Sequence, residues 1–219
     1  PMVPDLPSFP AEGASLRLAD GADFVPGQLV KIEVLDGAAD SVFIRNEVPE
    51  IGDGAWYPLV DGALEVSDWD LGAGEGRKVV SARFRKSGWA DSGTILSAVI
   101  LDETPPHVLP QVTYPAPNSD SVPSVAALMW NSAQDELAPE DSLRYSVYLS
   151  PDSPVDDLFW EGCGLGVVLG DLGIGNHLFW KIEVSDPAGN TSQAVGGEFT
   201  TWDLDLPPFR IIPSGTFSM

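Results

Sequence analysis

The sequence predicts an all-β protein of two tandem β-sandwiches joined by a proline-rich linker. Three observations lead there. Apolar and polar residues alternate with a period of two through short runs, and no stretch sustains a helical period. Glycine or proline closes almost every run, at the spacing of a sandwich. Pro105, Pro106, Pro110 and Pro115 cluster near the middle of the 219 residues, where each pushes its predecessor toward extended backbone.

The opening "PMVPDLPSFPAEG", residues 1–13, is proline-rich and reads as an extended lead-in. In "QLVKIEVLDG" Val30, Ile32 and Val34 share one face and Lys31 and Glu33 the other, which is a half-buried strand ending in an Asp-Gly turn. "SVFIRNE", "WYPLVDG", "ALEVSDWDL", "RKVVSARFRKSG" and "TILSAVIL" continue the series. After the linker "LDETPPHVLPQVTYPAP" a second series begins with "SVAALMWNS", "LRYSVYLS", "HLFWKIEVSD" and "AVGGEFTT". Its inward faces are Leu128 and Trp130, then Leu143, Tyr145, Val147 and Leu149, then Leu178, Trp180, Ile182 and Val184. "GLGVVLGDLGIG" has no following basic residue and no expected helix, so it reads as a loop or bulged edge and not as a phosphate cradle.

Composition narrows the function. The net charge is -22, yet 43% of residues are hydrophobic and seven are tryptophan, so the chain is folded despite its charge. Eight of the eleven Lys and Arg precede residue 104, and only Arg144 and Lys181 lie between 104 and 202. A surface this acidic repels phosphates and anionic lipid heads, which argues against nucleic-acid binding. No apolar run is long enough to span a bilayer, so membrane insertion is not expected. Cys163 is the only cysteine, so no intrachain disulfide staples either half.

The quoted runs carry three resemblances. "GRKVVSARFRKSGWADSGTILSAVILDETPP" is similar to the end of bacterial surface Ig-like repeats, although its turn "KSGWADSG" departs from their usual D-x-x-G-N. "AALMWNSAQDE", "LRYSVYLS", "HLFWKIEVSDPAGNTS" and "GEFTT" resemble a fibronectin type III domain, which implies a seven-stranded sandwich without catalytic apparatus. "FRIIPSGTFSM" is similar to the opening strand and turn of the formylglycine-generating enzyme family, sulfatase-modifying proteins related in fold to C-type lectins. These imply a lead-in at 1–13, an Ig-like sandwich at 14–106, a fibronectin type III-like sandwich at 107–202, and at 203–219 a linker with the first strands of a further C-terminal domain.

Candidate chemistry is sparse. Cys163 and His177 would need to stand within hydrogen-bond reach to act together, and in "WEGCGLGVVLG" the cysteine is expected to pack as a small hydrophobe. His107 sits in the linker. The pairs Asp68 with Asp70, Asp135 with Glu136, Glu140 with Asp141, and Asp156 with Asp157 read as solvated loop acids. Asp102 and Glu103 leave the first sandwich and could meet Asp135 or Asp186 of the second. Calcium, which takes six to eight hard oxygens, is the cation such acids would hold, although no D-x-[DN]-x-[DN]-G spacing is present. No other cofactor is implied. Asn190 opens an "NTS" sequon, which bacterial origin would leave idle.

The expected function is a non-catalytic spacer, adhesion or assembly module of a secreted or cell-surface bacterial protein, presenting a C-terminal functional domain. Its partner would be a protein or a glycan, or a second copy through sheet edges. Two alternatives assign the C-terminal domain differently: this region is then the accessory part of a formylglycine-generating-type enzyme, or the stalk of a C-type-lectin-like variable binder.

Overall fold

A computed structural model describes residues 6–10, 12–48, 53–192 and 194–202. The expectations for residues 203–219, including "FRIIPSGTFSM", lie outside the described residues. Two compact units divide the chain after Pro105, the first also taking in residues 136–138 and 186–190. Among the described residues the regular structure is sixteen strands and two single 3-10 turns. The fold is all-β, as the alternation predicts.

The first sandwich holds β1(Ser15–Leu18), β2(Phe24–Val25), β3(Leu29–Leu35), β4(Ser41–Val48), β5(Ala55–Pro58), β6(Ala63–Asp70), β7(Gly76–Arg85) and β8(Thr94–Leu101). One sheet has the order β2-β8-β7-β4-β5 and the other β1-β3-β6. Val30, Ile32 and Val34 of β3, Val42 and Ile44 of β4, and Val80, Ala82 and Phe84 of β7 meet in one core. Each Val, Ile and Phe among them contributes about 1.5–3 kcal/mol by leaving water, and Ala82 less. The Asp-Gly turn after β3 forms as predicted: Asp36 Oδ1 accepts the N–H groups of Ala38 and Ala39. Gly62 lies against it at φ +76, where a side chain would be strained and its Cβ would stand 2.8 Å from the Gly37 Cα.

The lead-in does more than connect. Phe9 is buried in the first core and its ring meets Trp89 edge-on at 6.3 Å. Its backbone N–H donates to the Ala90 carbonyl, and Ala90 donates back to Pro7. Proline suits such an edge because it lacks the donor that a central strand requires.

The second sandwich holds β9(Val112–Tyr114), β10(Ser119–Pro123), β11(Val125–Trp130), β12(Arg144–Ser150), β13(Leu158–Gly162), β14(Gly166–Asp171), β15(His177–Ser185) and β16(Val195–Trp202). Its sheets are β10-β16-β15-β12-β13 and β14-β11-β9. The two sandwiches match strand for strand. In each, the second strand pairs parallel with the last, β2 with β8 and β10 with β16, so the opening segment divides between both sheets.

Leu128, Trp130, Leu143, Tyr145, Val147, Leu178, Trp180, Ile182 and Val184 are buried, as the alternation predicts. Leu149 differs: it is half-buried and Ser150 is buried beyond it. The ladder between β12 and β13 shifts register after Val147, and a bulge there turns the end of the strand. Part of the proline stretch also proves to be strand, because Val112 and Tyr114 pair with Trp130 and Met129 at a sheet edge. Within the glycine-rich stretch, "GVVLGD" forms edge strand β14 with a bulge opposite Ala126 and Ala127.

Candidate functional site

Asp186 sits in the turn between β15 and β16 and is 5% exposed. Its Oδ1 accepts the N–H groups of Gly189 and Asn190, and its Oδ2 accepts the Asn190 side-chain amide. The carboxylate therefore closes its own turn, as an Asx side chain does. The same Asn190 amide donates to the Asp102 carbonyl at 2.8 Å, so the nitrogen that a glycan would occupy is already engaged. Asp102, fully buried just past β8, accepts the Thr104 N–H at 3.4 Å. Asp102 and Asp186 are thus brought together around one amide, and residues 186–190 pack with the first compact unit. Glu103 is exposed, and its backbone N–H donates to Glu75. Asp135 is half-buried in the second unit.

The remaining acids stand mostly in water. Asp68, Asp70, Glu136, Glu140, Asp141, Asp156 and Asp157 are all exposed. Asp70 accepts the Gly72 N–H and Asp156 pairs with Lys181 at 3.7 Å, which are turn and surface duties.

Cys163 corrects an expectation. It is exposed, not packed. The turn joining β13 and β14 is "CGL", and the residues on either side of Cys163 are glycines, which have no side chain to cover the thiol. It shares a shallow depression with Ser132, Glu140, Asp141 and Leu165. His177 is elsewhere, on β15, 3.4 Å from Glu198 and edge-on to Phe179. His177 is not among the residues of that depression, so the structure does not pair the thiol with the imidazole. His107 is exposed, and its backbone N–H donates to Gln134.

The outer face of β4, β5 and β7 was not evident in the sequence. Since Val42, Ile44, Val80, Ala82 and Phe84 point inward, Phe43, Arg45, Glu47, Ser81, Arg83 and Arg85 point outward. The Arg85 guanidinium lies 3.7 Å over the Trp56 ring, and that of Arg83 is 5.4 Å from the Phe43 centroid and 5.7 Å from that of Trp56. Asp91 takes two bonds from Arg85, and these hold its carboxyl below the ordinary range. Glu47 is held down likewise, by the Ser81 hydroxyl first and Arg45 second. The signal was present as "RFR" with alternate arginines, but only cross-strand register shows which rings they cover.

No protein-family model and no curated protein matches the chain. Solved structures similar to it include the fibronectin(III)-like modules of Clostridium thermocellum CbhA, at 10% identity and a TM-score of 0.48. That match covers 88% of this chain and 97% of the other. The FN1–FN3 domains of chicken CNTN1 are similar at 9% identity and a TM-score of 0.42, covering 90% of this chain and 69% of that one. Among the described residues, no helix is long and apolar enough to cross a membrane.

Proposed function

We propose that this chain is a non-catalytic spacer and assembly module of a secreted or cell-surface protein, its two sandwiches holding a C-terminal functional domain away from an anchor. One observation carries the reading: among the described residues, side chains that could do acid–base work close turns, join ion pairs or stand at the surface. Asp36, Asp171 and Asp186 accept turn N–H groups, and the Tyr145 hydroxyl accepts the Ala133 N–H in the core. Lys78, 1% exposed, ties down the Gly72 and Ala73 carbonyls. Such bonds stiffen loops.

A spacer must resist extension. Pulled from its two ends in a single-molecule experiment, the chain should give two discrete unfolding events, each releasing on the order of 300 Å of polypeptide. A gradual extension at low force would remove the proposal. The enzyme-accessory and lectin-stalk readings place the same module before different C-terminal domains.

A further inference from the structure

We infer that the outer face of β4 and β7 is a docking site for an extended acidic peptide whose carboxylates fall at alternate positions. In a chain with 33 acids and 11 bases, Arg45, Arg83 and Arg85 share one sheet face on which Glu47 and Asp91 are their acidic partners. An anionic segment repelled by most of this protein is attracted here.

Register supplies the period. Phe43 pairs with Arg83, Arg45 with Ser81 and Ser41 with Arg85, so the three arginines occupy three successive outward rows of the same strand pair. Rows on one face recur every two residues, about 6.6–6.8 Å. An extended peptide lying along the strands presents every second side chain downward with that same repeat. Carboxylates at i, i+2 and i+4 therefore come into step with the three guanidinium groups.

The donors are prepared. Arg45 uses Nε for Glu47 at 2.7 Å, Arg83 Nε stands 3.4 Å from Asp91 as an ion pair without a hydrogen bond, and the Nη ends of both have no acceptor among the described residues. The end-on fork of a guanidinium matches a carboxylate with two parallel bonds. Phe43 and Trp56 both lie within cation–π range of Arg83, which restrains the side chain and lessens the freedom lost on binding. Between the two forks is a cavity of about 120 Å³ lined by Phe43, Arg45, Glu47, Ser81, Arg83 and Thr94, large enough for one acidic side chain. Arg85 is already held twice by Asp91 and contributes charge at the end of the row.

The test titrates the whole chain with an alternating Glu/Ser octapeptide, with its isomer carrying the four Glu in one block, and with the alternating Gln/Ser version. Indole and arginine Nε–H signals report binding at low ionic strength and again near 0.15 M salt, where the Debye length is about 8 Å. The alternating acidic peptide should bind about tenfold tighter than the blocked isomer, weaken with salt, and shift the Trp56 indole. The Gln peptide should not bind. Arg45→Gln with Arg83→Gln should weaken binding about tenfold while far-UV circular dichroism and melting stay near wild type, and Arg83→Lys should weaken it less. Equal affinity for both acidic isomers, or binding unchanged in the double variant, overturns the proposal. So does tighter binding of a polygalacturonate at the same residues, or a dimer of this chain that the double variant abolishes.

Discussion

The first sandwich fills its interior mostly with Val, Ile and Leu, with Phe9 and Phe84 as its buried rings, and carries Phe43 and Trp56 outside beneath arginines. The second buries larger rings among its aliphatics. Trp130, Tyr145 and Trp180 are buried, with Trp130 packed against Tyr145 at 5.6 Å and Trp160 at 5.9 Å, while Val125, Met129 and Val168 are exposed. Strand order is nevertheless the same in both. The difference teaches that this topology follows from period-two alternation and turn placement, and that the identity of the filling is free within the available volume.

An aromatic interior concentrates stability in fewer side chains. Trp180→Ala should cost about 3–5 kcal/mol in chemical denaturation, more than an aliphatic trim such as Ile44→Val in the first core at about 0.5–1.5 kcal/mol. Gly197 lies against that indole, where a Cβ would come within 2.8 Å of the ring, so the site has little room to rearrange. Near-wild-type stability of Trp180→Ala would break the comparison.

Polar anchoring comes next. Tyr145→Phe removes the hydroxyl that accepts the buried Ala133 N–H at 2.8 Å, and should cost about 1–3 kcal/mol. Asp186→Ala removes three accepted bonds and should cost a similar amount, about 1–3 kcal/mol. The loss should be equal in millimolar calcium and in chelator. A loss that appears only with calcium present would make Asp186 a cation ligand first and a turn residue second.

Acid should act on the first sandwich through its arginine face. Glu47 and Asp91 titrate below the ordinary carboxylate range in the folded state, so the stability they contribute is fully present above that range and is lost as pH falls through their folded values. Melting followed by tryptophan fluorescence should show a decline below roughly pH 4 that Arg83→Gln with Arg85→Gln makes shallower. An unaltered slope would mean the Asp91 pairs contribute nothing, since Glu47 keeps Ser81 and Arg45 in that variant. The smallest effect is at Cys163: Cys163→Ser should change stability by less than about 0.5 kcal/mol, and a thiol reagent should label the native protein fully. Slow labelling would put the thiol under cover.

The strands were legible because a face that is half in water imposes alternation directly on the sequence, as in Val30, Ile32 and Val34 or Leu178, Trp180, Ile182 and Val184. The same holds for the Asp36 turn, whose bonds reach only two or three residues along the chain, whereas Asp186, read from the sequence as a calcium candidate, closes a turn of the same local kind. Three features were decided by the folded arrangement instead. Phe9 joins the core because Ala90 holds its backbone, Val112–Tyr114 is a strand because β11 offers an edge, and Cys163 is exposed because its turn points outward. The arginine face belongs with these. Local alternation determines which side of a strand a residue occupies, and only the pairing of β4 with β5 and β7 decides that Arg83 meets Phe43 and Trp56.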